Sequence, residues 1–378
     1  MAPSSPKTPV RIRVIVLGVR GIPNVQGGVE THAAELYQRL ARLGCDIEVV
    51  VRTPFVPAGQ RTFGPIGLRR IWSPQRVGVE AFVHSILAVL YAAVVRPHIL
   101  HIHAIGPGIV TPLARLLGLR VIVTHHGPDY DRDKWGRVGR WVLRNGERLG
   151  MRYSNARIAI SNVIAELIRS KYARDSDIIR NGVAARPLQQ NPDQLRAFGL
   201  EPGRYFLQVG RLVPEKRQLD LIAAFVAAQP PGWKLALVGA IGTDEYSRSV
   251  CEAAALARGV VLTGFQTGSA LEQLYTYATA FVLPSSHEGL PIALLEALSY
   301  GLPILASDIP ANLEIGLDAS SYFPVADRAS LAQGLLRLSQ SPPDVVARNA
   351  RRAWTVENFD WDHIAEQTVA VYRRVLND

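Results

Sequence analysis

The chain has 378 residues, 48% hydrophobic and 20% charged, with a net charge of +10. That length holds two or three ordinary domains, and the composition is globular, which excludes a disordered chain. Two cysteines, Cys45 and Cys251, exclude a disulfide framework or thiolate metal site and suit a reducing compartment.

The N-terminal segment is polar and proline-rich, so no secretory signal is expected and residues 1–9 read as a tail. Residues 11–17, RIRVIVL, read as a buried strand. A loop bearing Gly18, Gly21, Gly27 and Gly28 follows, then an amphipathic helix over 29–43 closed by Gly44, then a strand over 46–51. The glycines lack G-x-G-x-x-G spacing, so this is not the dinucleotide fingerprint. Mobile backbone entering a helix N-terminus suits close approach to a ligand, although a plain turn has the same composition. Residues 53–78 read as a loop. The next helix spans 79–95, and its apolar run over 86–95 is short of the ~20 residues a spanning helix needs.

The strand 98–103, HILHIH, sets His101 and His103 on one face with no carboxylate or cysteine nearby; they read as packed histidines and not ligands. A helix ends near Gly118, and the strand 121–124 delivers Thr124, His125, His126, Gly127, Pro128 and Asp129 to its C-terminal end. Open parallel sheets bind ligands there. A histidine in that loop suits hydrogen-bond donation or proton transfer, with Asp129 to orient it; a polar loop filled by two histidines is the alternative. Over 131–153, Arg137, Arg140, Arg144 and Arg148 recur at helical spacing beside Val138, Trp141 and Val142. This is either a solvated face or a surface for an anionic acceptor or membrane.

A strand over 156–161, a helix over 162–172 and the segment IIRNGV complete the first half; Asn181-Gly182 is a turn dipeptide. Residues 184–203 shift to polar, Pro and Gly, and the domain boundary belongs there. The strand–helix alternation restarts at 205–209, as expected for two parallel α/β sheets. Arg211 and Lys216 flank the loop ahead of a helix from Arg217, and forked and point cations suit phosphate oxygens, unless both are simply solvated. Strands over 235–239 and 260–264 and a helix over 271–278 follow. Helices are expected within 328–353, and an amphipathic one over 359–376.

The chain is organised around FVLPSSHEGLPIALLEALSYGLPILASD, residues 281–308. It reads as strand, loop, helix and strand, with Pro291 at the helix start and Gly301 with Pro303 at its end. A helix N-terminus suits a phosphate. Glu288 in the loop suits sugar hydroxyls, and Glu296 two turns into the helix suits a diol such as a ribose. A helix cap and a solvated edge are the plainer roles for the same two acids.

This stretch resembles the E-x7-E signature of retaining glycosyltransferases of family 4. Other segments match the same family over most of the chain: Gly27 and Gly28 its N-terminal Gly-Gly loop, Arg211 and Lys216 its G-R-x3-E-K motif, and a histidine before a glycine its sugar-contacting position. GIPNVQGGVETH resembles one branch, in which bacterial rhamnosyltransferases of cell-surface polysaccharides occur. The resemblance implies a GT-B fold: residues 1–190 on the acceptor side, 200–358 on the donor side, and 359–378 crossing back to brace the first domain. It implies an enzyme that moves a hexose, with retention, from a nucleotide sugar to a glycan or lipid-linked acceptor, in surface polysaccharide synthesis. Arg211 and Lys216 would hold the diphosphate, Glu288 the sugar, Glu296 the ribose, and His126 (or His125) the hydroxyl rim, with Gly27, Gly28, Gly289, Leu290 and Pro291 also binding the donor. No cofactor or obligatory metal is expected, and no nucleic-acid partner. The expected location is the cytoplasm, on the inner face of the plasma membrane where anionic lipid is the partner. A nucleotide-sugar epimerase of the same architecture and a non-catalytic sugar-binding protein are the rival readings.

Overall fold

The computed structural model describes residues 11–74, 79–131, 135–340 and 345–378. The expected N-terminal tail and residues 132–134 of the basic stretch lie outside them. The first half runs β1 (Ile12–Leu17), α1 (Gly28–Arg42), β2 (Cys45–Arg52), β3 (Thr62–Phe63), β4 (Ile66–Ile71), α2 (Val79–Val95), β5 (Ile99–His103), α3 (Thr111–Leu116), β6 (Val121–His125), α4 (Arg137–Tyr153), β7 (Ala156–Ala159), α5 (Asn162–Tyr172) and β8 (Asp177–Ile178). Its eight strands stand in the order β3-β4-β2-β1-β5-β6-β7-β8. All pairings are parallel except β3 with β4. β5 and β6 are buried at every residue, as strands covered on both faces must be.

The second half runs α6 (Asp193–Ala197), β9 (Tyr205–Val209), α7 (Gln218–Ala228), β10 (Lys234–Val238), α8 (Glu245–Leu256), β11 (Val260–Gly264), α9 (Gly268–Tyr277), β12 (Ala280–Leu283), α10 (Ile292–Ser299), β13 (Ile304–Ser307), α11 (Pro310–Leu313), β14 (Tyr322–Phe323), α12 (Arg328–Gln340), α13 (Val345–Asn358) and α14 (Trp361–Asn377). Six strands stand in the order β11-β10-β9-β12-β13-β14. In both sheets the strand order reverses beside the first strand, between β1 and β5 and between β9 and β12. Loops leaving these strands part there and open a crevice at their C-terminal ends.

Four local expectations change. Part of the expected loop 53–78 is a hairpin, β3 and β4, because Ile66 and Leu68 are buried against the sheet. Asn181-Gly182 is no turn. A Cβ at Gly182 would meet the Trp361 ring at 2.7 Å and Ile364 at 2.8 Å, so the glycine gives α14 room. The polar stretch 184–203 carries α6, whose Leu195 is fully buried. The helix expected from Arg217 starts at Gln218, because Arg217 is left-handed at φ 52°.

The terminal helix returns to the first half. Asp360 caps it, accepting from the N–H groups of Asp362 at 3.2 Å and His363 at 3.3 Å. Its Trp361, Ile364, Val369, Tyr372 and Val375 join Ala33, Leu36, Tyr37 and Leu40 of α1 in one buried cluster. Each leucine, isoleucine and valine among them contributes roughly 1.5–3 kcal/mol by leaving water.

Candidate active site

The first wall is the loop from β1 to α1. Arg20 holds it: its Nε donates to Glu30 Oε1 at 2.9 Å, and its Nη2 donates to the Gln26 carbonyl. The backbone at Gly27 is hemmed in by that pair, since a Cβ there would lie 2.0 Å from Glu30 Oε2. Gly28 has open space beside it: a Cβ there would meet nothing within 4 Å. The loop also reaches the other half, where Gln26 Oε1 accepts from the Ala240 N–H at 3.2 Å.

Three imidazoles form the floor. His32 comes from α1, His103 from the end of β5 and His126 from the loop after β6. His103 Nδ1 and His126 Nε2 are hydrogen-bonded at 2.8 Å, and the other nitrogen of His103 meets Tyr37 Oη at 2.5 Å. Asn181 donates to the Leu290 carbonyl at 2.8 Å, which leaves its Oδ1 to accept from His32 Nδ1 at 2.9 Å. His32 Nε2 therefore carries the lone pair, buried and without a hydrogen-bond partner. Burial drives His32 down to about 4, and burial followed by neighbouring histidines drives His103 and His126 well below the usual range. All three are neutral at neutral pH.

This trio is the group whose ligand atoms lie within 4.8 Å of one another among the described residues. A tetrahedral zinc with bonds of about 2.0–2.1 Å needs nitrogens about 3.3 Å apart and would have to part the His103–His126 hydrogen bond. The geometry is that of a hydrogen-bonded neutral cluster able to offer polar groups to hydroxyls. His101 is buried and packed, bonded to Tyr37, Tyr372 and Thr124. His103 is buried too, but it also braces His126.

The two adjacent histidines diverge. His126 is partly accessible at the cleft. His125 is fully buried, and Nε2 meets Glu147 Oε1 at 2.8 Å. The carboxylate on His125 is thus Glu147 of α4, where Asp129 was expected, because β6 turns alternate side chains to opposite faces of the sheet.

The second wall comes from the other half. Lys216 Nζ lies 2.5 Å from Glu288 Oε1 across the loops after β9 and β12. Arg211 lies on the same β9 loop, whose Arg211 carbonyl is held by Gln218 Nε2 at 2.9 Å. Gly289 meets the first half backbone to backbone: a Cβ there would be 2.1 Å from the His126 carbonyl oxygen. Leu290 is buried, and Pro291 stands just ahead of the first residue of α10. Glu296 accepts from the Tyr275 hydroxyl at 3.0 Å, and burial raises its carboxyl to about 6. The geometry therefore gathers His126, Glu288, Gly289, Leu290 and Lys216 at one meeting point between the halves.

Sequence reading missed His32, Glu147 and the bridging role of Asn181. A polar histidine on the apolar face of α1, beside Ala33, Leu36 and Tyr37, was a signal for the first. Glu147 was hidden among arginines, and Asn181 is explained only by what it touches.

Comparison with known proteins gives two family matches. Residues 26–186 match Glycosyltransferase Family 4, and residues 192–355 match Glycosyl transferases group 1. The alpha-maltose-1-phosphate synthase of Mycolicibacterium smegmatis is 28% identical over 397 aligned positions, spanning 96% of this chain and 100% of that one. The lipopolysaccharide 1,6-galactosyltransferase of Salmonella typhimurium is 29% identical over 184 positions, 46% of this chain and 50% of that one. Among solved structures, sucrose-phosphate synthase from Thermosynechococcus elongatus superposes with a TM-score of 0.82 at 20% identity, covering 97% of this chain and 100% of that one. Anabaena HepE in complex with UDP and glucose gives 0.77 at 18% identity, covering 96% and 100%. The fold is GT-B, two α/β halves around parallel sheets.

Proposed function

Because the chain belongs to glycosyltransferase family 4, whose members are retaining enzymes that use nucleotide sugars, we propose that it transfers a hexose from a nucleoside-diphosphate sugar to a glycan or lipid-linked acceptor in surface polysaccharide synthesis. The observation that carries this reading is the convergence of Lys216, Glu288 and Gly289 of one half on His126 of the other.

In this reading the second half grips the donor. Lys216 has three N–H donors and can keep Glu288 while binding a phosphate oxygen. Arg211 adds a forked donor set, and the two cations offset the charge that develops on the leaving diphosphate. Glu288 accepts from sugar hydroxyls, Glu296 from the ribose diol, and His126 meets the hydroxyl rim. The acceptor oxygen bonds the anomeric carbon on the face the diphosphate leaves, and the departing phosphate oxygen takes its proton. A two-step route needs a carboxylate at the opposite face. Glu147, behind His125, is 1% exposed and turned into the core, which supports same-face attack.

The acceptor enters over the first half. Arg137, Arg140, Arg144 and Arg148 on α4 are all exposed, with Val138 at 77% and Trp141 at 63%. That surface suits an anionic membrane leaflet carrying a lipid-linked acceptor. No helix of the described residues is long and apolar enough to cross a membrane, so attachment would be peripheral. The likeness of GIPNVQGGVETH supports the rhamnosyltransferase branch, with a cell-surface polysaccharide as product.

A thermal-shift panel tests the donor assignment. It uses the diphosphates of uridine, guanosine, thymidine and adenosine, alone and as common nucleotide sugars, with and without EDTA. Binding to the folded state raises Tm. One base should stabilise the protein, insensitive to EDTA. No stabilisation by any, with acceptor glycan also present, would remove the donor assignment.

A further inference from the structure

Glu147 has no part in the roles above, yet among the described residues of the first half it is the most completely enclosed acid, at 1% exposure. A carboxylate taken out of water is costly unless its oxygens are satisfied. Here they are. Oε1 accepts from His125 Nε2 at 2.8 Å, both oxygens from the Tyr130 hydroxyl at 3.1 Å, and Oε2 from the Tyr172 hydroxyl at 2.5 Å. Lys171 Nζ stands 3.5 Å from Oε2 and also donates to the Tyr130 hydroxyl. Burial pushes the carboxyl up, and the donors from His125 and Tyr172 outweigh it, leaving it below the ordinary value and ionised.

The other side of His125 calls for the same tautomer. Its Nδ1 lies 3.0 Å from the Gly127 N–H, which can only donate. Nδ1 must therefore carry the lone pair and Nε2 the proton, and the proton is given to Glu147. The bond to Gly127 fixes the turn over 125–127, where Gly127 takes φ +126°. That turn carries His126 and packs against the second half: the Gly127 Cβ position is 3.5 Å from Gly289 Cα, and the Gly289 Cβ position is 2.1 Å from the His126 carbonyl.

We propose that Glu147 is a positioning residue for sugar transfer: it holds His125 as the Nε2–H tautomer, so that the turn over 125–127 seats on Gly289 and the His126 imidazole meets the donor sugar in one orientation. The proposal rests on the transferase reading above. Glu147 touches no substrate; it acts through His125. A group misplaced by about 1 Å from its productive position loses about 100-fold.

The test uses the full chain, Glu147→Gln and Glu147→Ala. Turnover is read as release of nucleoside diphosphate from the nucleotide sugar that stabilises the wild-type protein most. Glutamine keeps an oxygen for His125 and loses the charge; alanine loses both. Turnover should fall about 100-fold in Glu147→Ala and by a smaller factor in Glu147→Gln. The Kd for the nucleoside diphosphate alone should stay within about twofold, because that ligand sits on the other half and stops short of the turn. In 15N spectra of histidine-labelled protein, the His125 tautomer pattern should persist in Glu147→Gln and give way to a mixture of tautomers in Glu147→Ala. If the alanine variant does not fold, the glutamine variant decides. Wild-type turnover there, or equal losses of turnover and nucleoside diphosphate affinity, would overturn the proposal. A wild-type protein that neither binds nor cleaves any nucleotide sugar would instead overturn the transferase reading, before any variant is made.

Discussion

Glu296 is a carboxylate inside a largely apolar helix, and burial there makes it harder to ionise. Burial raises its carboxyl from 4.5 to about 6, opposed by the Tyr275 hydroxyl and the charge of Arg186. A carboxyl that is harder to ionise when folded weakens the fold once it is ionised. Below about pH 4.5 both states hold the proton and there is no penalty. The penalty grows up to about pH 6 and stays complete above it. At about 1.36 kcal/mol per pKa unit, the ligand-free protein should lose about 2 kcal/mol across that window. Urea unfolding between pH 4 and 7 measures this, and Glu296→Gln should flatten the loss. Parallel curves for the two proteins would place its origin elsewhere. A ribose diol donating to the carboxylate would draw its pKa down, so nucleotide affinity should fall as pH drops below about 6.

At the scale of one element, α4 shows two surfaces of different chemistry. Outward it shows four arginines with Val138 and Trp141; inward it holds Glu147 against His125. Helical spacing made the outer face visible, since charged residues three and four apart share a side. The same spacing hid Glu147, which looks like one more member of a charged helix until β6 and α5 close over it. Basic residues near an anionic leaflet contribute about 1 kcal/mol each. Serine at Arg137, Arg140, Arg144 and Arg148 together should therefore abolish cosedimentation with vesicles rich in anionic lipid. Nucleoside diphosphate binding should be retained. Undiminished cosedimentation would return this face to plain solvation.

Over the whole molecule, the halves are latched at several points around the cleft. Glu314, just past α11, reaches the N-terminus of α5 in the other half. It accepts from the Asn162 N–H at 2.6 Å, the Asn162 amide at 2.9 Å and the Val163 N–H at 3.1 Å. A carboxylate suits the free N–H groups and partial positive charge at a helix start. Asn181 to Leu290 and Gln26 to Ala240 are the other ties named above. Glu314→Ala should favour a more open arrangement, read as a larger radius of gyration in X-ray scattering and a raised KM for the donor. An unchanged scattering curve with unchanged KM would show the latch to be incidental.

Most of the fold was readable in the chain, because buried parallel strands are continuous apolar runs and their helices carry a 3.6-residue stripe. The loops at the strand ends were readable for the same reason: glycine, proline and charge interrupt those runs, as at Gly27, Arg211 and Glu288. The outermost hairpin was not. β3 and β4 take their structure from the sheet they join, and nothing in TFGPIGLRRI requires it. The sequence by itself determined two α/β halves and the polar residues at their strand ends, since hydrophobic periodicity and turn chemistry are local. The tertiary structure alone decided which of those residues meet. Whether His125 or His126 faces the cleft, that His32 and His103 stand behind it, and that Gly182 makes way for Trp361 depend on sheet register and on contacts between residues far apart in the chain. No local pattern encodes those contacts.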